Sequence, residues 1–361
     1  MEKMVKIPDF KFGFRNKHST IQQIHRVTTV IERAFENKEY CEAAFLDVSQ
    51  AFDKVWHEGL IFKMSRLLPA NYCKLLESYL SERKFRVKDQ DTYSGFYSIQ
   101  AGVPQGSVLA PFLYTIYTAD IPVSENTFIG TFADDTAIMA TDSSQPEAIK
   151  KLQKSLDKIN QWTKDCKIKL NEGKSNHITF TLRHTSNHRI SLNGIHIPQV
   201  ESARYLGLHL DNKLNWKHHV RQKAQQMKLK TKQMYWLIGY HSKLSLYCKR
   251  LIYKSIFKPI WLYGSELWGC AKKTNTDTIQ TSQNIFLRMI TNAYRFVTNE
   301  EIHRDLQIEW VEEAIRENAL KHEKRLLTHS NVEAIQLLDI TNELRRLKRT
   351  KPHELTYREI N

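Results

Sequence analysis

Two adjacent aspartates, Asp134 and Asp135, stand between two apolar runs, 127–133 and 136–141. Like charges repel at short range, so a tight turn that brings two carboxylates together between buried strands is unfavourable by itself. One interpretation is an ordinary solvated hairpin tip, because Asp is common in turns. The other is a buried acidic pair that requires cations, and hard divalent ions with oxygen ligands fit it. The apolar flanks favour the second interpretation.

A third carboxylate, Asp47, stands at the end of a short apolar run that is typical of a strand, 41–48. If this strand and the aspartate hairpin are neighbours in one sheet, three carboxylates converge at one end of it. Such a cluster can hold two Mg²⁺ ions about 3.5–4 Å apart, with Mn²⁺ as an alternative, the arrangement used for phosphoryl transfer. For Asp53 we expect a helix-cap or salt-bridge role rather than metal binding.

Hydrophobic periodicity predicts interleaved strands and helices up to about residue 211 and helices beyond Trp216. Ser19, with Gln22 three residues later, has the pattern of a capping box that opens a helix ending near Asn37. The other predicted elements are helices over 57–68, 72–80, 108–119 and 147–162, strands over 41–48, 127–133, 136–141, 178–181, 190–192 and 205–210, and a hairpin of 85–87 with 95–100. The pattern predicts an α+β domain followed by a helical domain.

The net charge of +15 is unevenly distributed, because no acidic residue lies between Asp211 and Glu266 while twelve lysines and arginines do. Such a stretch indicates a polyanionic partner. Nucleic acid is favoured over an anionic membrane, since these helices carry aromatics and lack a large apolar face. No signal peptide or membrane span is evident, so we expect a soluble cytoplasmic and nuclear protein. Five scattered cysteines indicate neither a zinc knuckle nor a disulfide framework.

Six motifs in order resemble the reverse transcriptases of non-LTR (LINE-type) retrotransposons, particularly the Jockey-like elements of insects. They are residues 12–15 with 18–20 (FGFR, HST), 45–57 (FLDVSQAFDKVWH), 101–111 (AGVPQGSVLAP), 132–135 (FADD), 170–174 (LNEGK) and 205–208 (YLGL). The resemblance runs from about Lys11 to Trp216. It implies an RNA-directed DNA polymerase that uses an RNA template, a DNA primer and deoxynucleoside triphosphates.

The resemblance also implies a right-hand polymerase fold, in which an α+β palm with an antiparallel sheet precedes a helical thumb. The expected division is partial fingers over 1–40, palm over 41–211, basic thumb over 212–300 and a helical tail over 301–361. No pattern in the sequence sets the oligomeric state.

Each matching motif implies site residues. The metal ligands are Asp47, Asp134 and Asp135; Lys174 is a candidate proton donor to pyrophosphate, or simply an exposed lysine. The incoming nucleotide is assigned to Val48, Phe52, Gln105, Gly106 and Arg15, the last of which is alternatively a structural salt-bridge partner. The primer end is assigned to Leu206 and Gly207, and the nucleic-acid backbone to Lys228, Lys230, Lys232, Lys249 and Arg250.

Elementary chemistry agrees with several of these roles. An aromatic ring at Phe52 would clash with a ribose 2′-hydroxyl and so prefer deoxynucleotides, although a core role is the alternative. A glycine at Gly106 lets the backbone approach a ligand closely, and Ser107 is placed to cap the next helix. In the basic region we expect a packed stripe of Val220, Ala224, Met227, Thr231, Met234 and Ile238. We expect the aromatics there to be buried, with base stacking as the alternative: Trp236, Tyr240 and Tyr247.

The match departs from the family pattern upstream, because the longer basic fingers region expected before Lys11 has no counterpart. This predicts a fragment, an alternative product or a decayed copy that binds template-primer but uses nucleotides poorly. A catalytically inactive nucleic-acid-binding remnant is one competing hypothesis. An RNA-dependent RNA polymerase is another, against which Phe52 and the alanine before the aspartate pair both argue.

Overall fold

The computed structural model of the chain describes residues 6–339 and 345–357. Its contacts define two compact units, Met1–Glu201 and Ser202–Asn361. This division falls shortly before the palm–thumb boundary expected at residue 211. The C-terminal part of the predicted tail, at 340–344 and 358–361, lies outside the described residues.

The first unit interleaves helices and strands. Its helices are α1 (Thr20–Glu36), α2 (His57–Leu67), α3 (Ala70–Leu80), α4 (Ala110–Tyr117) and α5 (Gln145–Asp165). Its strands are β1 (Tyr40–Leu46), β2 (Lys84–Phe85), β3 (Lys88–Asp89), β4 (Thr92–Tyr93), β5 (Tyr97–Ser98), β6 (Thr127–Phe132), β7 (Asp135–Asp142), β8 (Asn176–Phe180), β9 (Ser191–Leu192) and β10 (Ile195–His196). The predicted helices of this region are confirmed to within a few residues.

The first helix, α1, begins at the capping box that the sequence predicts. The Ser19 side chain accepts a hydrogen bond from the Gln22 amide, and the Gln22 side chain accepts one from the Ser19 amide. Two of the otherwise unpaired amides at the helix start are thereby satisfied. The helix ends at Glu36 and Asn37 is its C-cap, close to the expected end.

Strands β6, β7, β1 and β8, in that order, form one antiparallel sheet. Residues alternate between the two faces of a strand, and both faces of this sheet are covered. Ala44, Leu46 and Ile138 belong to the apolar cluster that α5 contributes to. On the other face Gly130 makes room for α1, because an added Cβ there would lie 2.1 Å from the Gln23 side-chain amide.

A fully buried carboxylate, Glu42, lies in the centre of this sheet. One oxygen lies 2.7 Å from the His177 ring and accepts a hydrogen bond from the Thr179 hydroxyl at 2.8 Å. The other oxygen accepts from the Gln145 side chain at 3.2 Å. A buried charge is tolerated only when it is paired and hydrogen-bonded in this way, so the cluster ties β1, β8 and α5 together.

The second unit begins with a hairpin and is helical thereafter, as predicted beyond Trp216. Its elements are β11 (Ser202–Tyr205), β12 (Leu208–Asp211), α6 (Lys217–Gln233), α7 (Tyr235–Ile238), α8 (Leu246–Ile252), a π-helical turn (Tyr253–Phe257), α9 (Lys258–Leu262), α10 (Ser265–Trp268), α11 (Lys273–Thr291), α12 (Asn299–Leu306), α13 (Val311–Leu327), α14 (Val332–Ile335) and 3₁₀ turns (Gln336–Leu338, Pro352–Thr356). The single strand predicted over 205–210 is wrong, because a turn divides it into two.

The apolar stripe predicted along α6 and α7 faces the core of the second unit. Val220, Met227 and Ile238 are buried, and the remaining stripe positions are half-buried. Within the described ranges, no helix is both long and apolar enough to cross a bilayer.

We expect Glu42→Leu to lower the free energy of unfolding by about 3 kcal/mol, because it leaves the His177 and Thr179 groups buried without their acceptor. The double variant Glu42→Leu/His177→Leu should recover much of that loss. Urea unfolding measures the free energy of unfolding of the single and double variants. Glu147→Leu, which replaces an exposed glutamate of α5, is the control. A single variant as stable as the control would contradict the role assigned to this cluster.

Candidate active site

The predicted aspartate hairpin is formed by β6 and β7, with Phe132 paired to Asp135. Only Ala133 and Asp134 form the turn. Ala133 adopts a positive φ of 57°, a left-handed conformation that costs a non-glycine residue about 1–2 kcal/mol. Two-residue turns with a positive first φ normally place glycine there. The turn that carries the acids is therefore strained.

The segment before α1 runs alongside this hairpin. The Phe12 amide donates to the Thr131 carbonyl at 3.0 Å. At Gly13 an added Cβ would lie 1.9 Å from the Ala133 nitrogen, so only glycine allows this close approach. The sequence places Gly13 in a matching motif without assigning it a role. The structure shows that it packs directly behind the aspartate turn, holding the turn in place.

Lys11, which sequence reasoning did not single out, is buried next to the same turn. Its ammonium donates to the Thr118 hydroxyl at 2.8 Å, and it lines a cavity of about 20 Å³ together with Asp134. Burial lowers the pKa of this lysine to about 7, although Asp120 opposes that effect. No pattern in the sequence marks this lysine as buried.

Asp47 follows β1, which lies between β7 and β8 in the sheet. Its amide donates to the Ser175 hydroxyl at 3.2 Å and its carbonyl accepts from the Asn171 amide at 2.9 Å. Burial, and then the charges of Asp134 and Asp47, raise the pKa of Asp135 to about 6. The three carboxylates are therefore close enough to interact electrostatically.

Proximity does not by itself make a metal site. Among residues 6–339 and 345–357, no group of three or more His, Cys, Asp or Glu side chains is arranged to hold an ion. The assignment of Asp47, Asp134 and Asp135 as joint metal ligands stays a prediction.

Phe52, which is predicted to exclude ribonucleotides by a clash with the 2′-hydroxyl, is half-buried between two other rings. It stacks on Tyr114 at 4.9 Å between centroids and meets Phe14 edge-on at 5.7 Å. Burial, and then the negative charge of Asp134, raise the pKa of the Tyr114 hydroxyl well above its usual range. Phe52 thus lies one ring away from the aspartate turn, with part of its surface open.

The loop of Gln105 and Gly106 connects to the same region. Gln105 is exposed and donates to the Asp53 carboxylate at 2.9 Å, so this partner of Asp53 is a side-chain amide and not the helix amide or cation that was expected. Gly106 has a φ of 84° and no atom within 4 Å of an added Cβ, so its glycine requirement is conformational. The Ser107 hydroxyl accepts from the amide of Ala110, the first residue of α4, at 3.1 Å. The N-cap position itself is occupied by Leu109, two residues later than expected.

Arg15, predicted to contact the nucleotide, has structural partners, whereas the side chain of Lys174, the candidate proton donor, is exposed. The Arg15 guanidinium donates to the Pro8 and Lys11 carbonyls and lies 3.9 Å from Asp9. These contacts favour its structural alternative, and its assignment to the nucleotide stays a prediction. Lys174 is exposed, in a turn closed by its amide and Asn171.

Val48 is half-buried, and its backbone bridges Leu170. It packs against the apolar cluster under α5. Its proposed contact with the nucleotide stays a prediction.

The predicted primer-end residues form the turn between β11 and β12. Leu206 and Gly207 both have positive φ values, 44° and 86°, as a two-residue hairpin turn with the strand twist requires. The Tyr263 hydroxyl donates to the Leu206 carbonyl at 2.8 Å. Its ring lies 3.0 Å from an added Cβ at Gly207, so the turn is braced from within the second unit.

The predicted backbone-binding cations fall into two groups. Lys228 and Lys232 are exposed and Lys230 is half-buried, and their contacts with phosphate stay a prediction. Lys249 is instead buried, and its ammonium donates to the Gly239 carbonyl at 3.2 Å. Its assignment to nucleic acid is therefore wrong. Arg250 is half-buried and donates to the Gln307 side chain at 3.4 Å.

The three aromatics expected to be buried in this region are exposed. Trp236, Tyr240 and Tyr247 leave 78%, 65% and 71% of their surfaces accessible. The expectation of burial is wrong, because Trp236 and Tyr247 lie in short helices and Tyr240 lies in a turn, where periodicity does not indicate a buried face. The alternative of base stacking stays open to them.

Residues 1–210 match the protein family described as "Reverse transcriptase (RNA-dependent DNA polymerase)". The chain belongs to the reverse transcriptase family. The matched range contains the aspartate hairpin, Asp47, Phe52 and the Gln105 loop, so every candidate residue of the first unit lies inside it. The resemblance inferred from the six motifs is confirmed at the level of the family.

Among similar proteins, the probable RNA-directed DNA polymerase from transposon BS of Drosophila melanogaster is 40% identical over 353 residues. That alignment covers 95% of this chain and 39% of the relative. The RNA-directed DNA polymerase from mobile element jockey of the same species is 39% identical, with 97% and 40% covered. This reverse transcriptase chain thus spans about two fifths of the length of these relatives.

Among solved structures, a telomerase from Candida albicans in complex with a fragment of telomeric RNA is similar, with a TM-score of 0.42. That alignment has 11% sequence identity and covers 80% of this reverse transcriptase chain and 58% of the telomerase chain.

In this reverse transcriptase, we expect Asp135→Asn to stabilise the fold above pH 6. The pKa of Asp135 is raised from 3.8 to about 6 on folding, so the native state keeps a proton that the unfolded state releases. Wild-type stability therefore falls as the pH rises from about 4 to about 6. The asparagine variant avoids this loss, and after discounting for partial exposure its advantage at pH 8 should be about 1–2 kcal/mol.

Urea unfolding of both proteins at pH 4 and pH 8, without divalent ions, measures this difference. Asp142→Asn is the matched control. Hydrogen bonds from Lys151 and the Ser144 amide lower the pKa of Asp142, so that variant should lose stability at pH 8 instead. An Asp135→Asn variant that is no more stable than wild type at pH 8 would show that burial and the neighbouring acids do not raise the pKa of Asp135.

Proposed function

We propose that this chain is the polymerase portion of a non-LTR retrotransposon reverse transcriptase. It would copy an RNA template by adding deoxynucleotides to a DNA primer. The observation that carries the proposal is the strained turn of Ala133 and Asp134, which presents two acids beside Asp47 in a chain of this family.

The donor chemistry of the three carboxylates would suit two divalent ions, Mg²⁺ or Mn²⁺. All three donors are oxygens, which hard cations prefer. Burial, and then the charges of Asp134 and Asp47, raise the pKa of Asp135, and a bound cation would offset both effects. When bound at Asp47, Asp134 and Asp135, such ions would activate the primer hydroxyl and neutralise the triphosphate.

The chain's own residues would orient the nucleotide. Phe52, supported by Tyr114, presents a ring edge that would exclude a ribose 2′-hydroxyl. Gln105 is oriented by its hydrogen bond to Asp53, and Gly106 next to it leaves the backbone open to a ligand. Lys174 is exposed and would donate a proton to the leaving pyrophosphate. Val48 would contact the nucleotide beside Asp47.

Residues of the second unit would bind the nucleic acid. The braced turn of Leu206 and Gly207 is suited to fixing a primer end, because its backbone has little freedom to move. The ammonium groups of Lys228, Lys230 and Lys232 would neutralise backbone phosphates, and such contacts make binding dependent on salt.

We expect Asp47→Asn and Asp134→Asn each to reduce nucleotide addition by roughly a hundredfold or more, since each removes charge stabilisation at the reacting phosphoryl group. Primer extension on an RNA template with Mg²⁺ measures this, and a gel-shift assay checks that template-primer binding is retained. Asp157→Asn, an exposed acid of α5, is the control. Near-normal extension by either variant would refute the assignment, and a wild-type chain that binds without extending would be an inactive remnant.

We expect Phe52→Val to increase ribonucleotide use relative to deoxynucleotide use by roughly tenfold or more, because discrimination here arises from a steric clash. Steady-state extension with each nucleotide type measures the ratio. Phe62→Val, at an exposed phenylalanine of α2, is the matched control. An unchanged ratio would return Phe52 to its alternative, a packing role.

A further inference from the structure

Residues 83–99, which we call the aromatic hairpin, form two short ladders in succession. Lys84 pairs with Ser98 and Phe85 with Tyr97 in β2 and β5, and β3 pairs with β4 nearer the tip. No residue of this hairpin is buried. A two-stranded hairpin without a packed face is marginally stable in water. We therefore expect the surface of this hairpin to bind another molecule.

The aromatic hairpin exposes an unusual amount of apolar surface for its size. Between 47% and 67% of each large apolar side chain is accessible, at Phe85, Val87, Tyr93, Phe96 and Tyr97. Phe85 contacts Tyr97, and Tyr93 and Phe96 share the Arg86 guanidinium. Single exposed apolar residues need no explanation, but several of them within one short hairpin indicate a binding surface.

Cations lie on these aromatic rings. The Arg86 guanidinium lies 4.0 Å from the centre of the Tyr93 ring and 5.2 Å from that of Phe96. The Lys88 ammonium lies 5.5 Å from Tyr93. Lys84, Arg86 and Lys88 alternate in the sequence along the first arm of the hairpin, and all three are exposed. Aromatic faces interleaved with cations fit unpaired bases and the phosphates that join them.

The base of the aromatic hairpin is attached to the loop proposed to contact the nucleotide. The Arg83 guanidinium donates to the Gly102 carbonyl at 3.2 Å, and the Ile99 amide donates to the Arg83 carbonyl at 2.8 Å. Gly102 has a φ of 91°, and an added Cβ there would lie 2.7 Å from the Asp53 carbonyl. The hairpin therefore projects from the same short segment that carries Gln105.

We propose that the aromatic hairpin binds the unpaired RNA strand of the template. Bases stack on Tyr93 and Phe96, and phosphates contact Lys84 and Lys88. The identification of the strand as RNA rests on the proposed function, whereas the stacking and charge arguments rest on the hairpin alone. An apolar interface between two copies of the chain would not need the cations, and the test below separates the two occupants.

The test is binding of a fluorescently labelled oligouridine to the full chain, measured by anisotropy at several salt concentrations. Tyr93→Ala/Phe96→Ala should weaken binding by roughly tenfold to a hundredfold, the usual effect of removing a stacking ring. Tyr93→Trp/Phe96→Trp should retain it. Lys84→Gln/Lys88→Gln should make the slope of log affinity against log salt shallower by about 1.4, at about 0.7 per phosphate contact.

The matched control is Tyr294→Ala/Phe296→Ala, which removes an exposed, stacked aromatic pair of the second unit, with centroids 5.5 Å apart. Thermal unfolding checks that the hairpin variants stay folded, as expected for residues that contribute no buried surface. Unchanged RNA affinity in the Tyr93→Ala/Phe96→Ala variant would overturn the proposal. A changed sedimentation coefficient with unchanged RNA affinity would make the hairpin an interface between copies, which overturns it equally.

The proposed function is tested by a different experiment. Full extension by Asp134→Asn would refute the proposed function but would not affect the measurement of RNA binding by the hairpin. Loss of RNA affinity in the hairpin variants, with extension abolished only in the aspartate variants, supports both proposals separately.

Discussion

The pairing register of β1 against β7 determines where every acid of the candidate site lies. Leu46 pairs with Thr136, so the chain leaves β1 at Asp47 at the same end of the sheet at which it enters β7 at Asp135. Because side chains alternate with a period of two, a slip of one residue would move Asp47 to the opposite face. The buried Glu42 cluster opposes such a slip, since it would separate the carboxylate from its partners in β8 and α5.

The same sheet holds two unfavourable features together at one turn. Ala133 adopts a conformation that suits glycine, and the acids beside it repel each other. Neither would persist in an isolated hairpin, so the surrounding packing must determine both. Gly13 contributes by contacting the turn directly, and the buried Lys11 lies in the same cavity as Asp134. Strain and like charge at one place are expected where the fold is selected for a site rather than for stability.

Sequence signals predict an element correctly where residues close in the chain determine its conformation. The Ser19 capping box, the aspartate hairpin and the long amphipathic helix α5 all follow from nearby residues. Prediction failed where distant contacts decide. Lys249 reads as one more cation in a basic run, yet the Gly239 carbonyl holds it inside. Trp236 belongs to the four-residue helix α7, which is too short to show a periodic face, and aromatics default to the interior.

The strand order has a consequence for how this chain is made. Strand β1 is apolar and central, but its partners β7 and β8 are translated much later. At synthesis rates of about 5–20 residues per second, β1 waits several seconds or more for β7 to emerge. During that interval both of its edges are open, and an unpaired apolar edge invites pairing with other nascent chains. The strand order that gathers the acids therefore also leaves an apolar edge exposed to other chains until β7 has been synthesised.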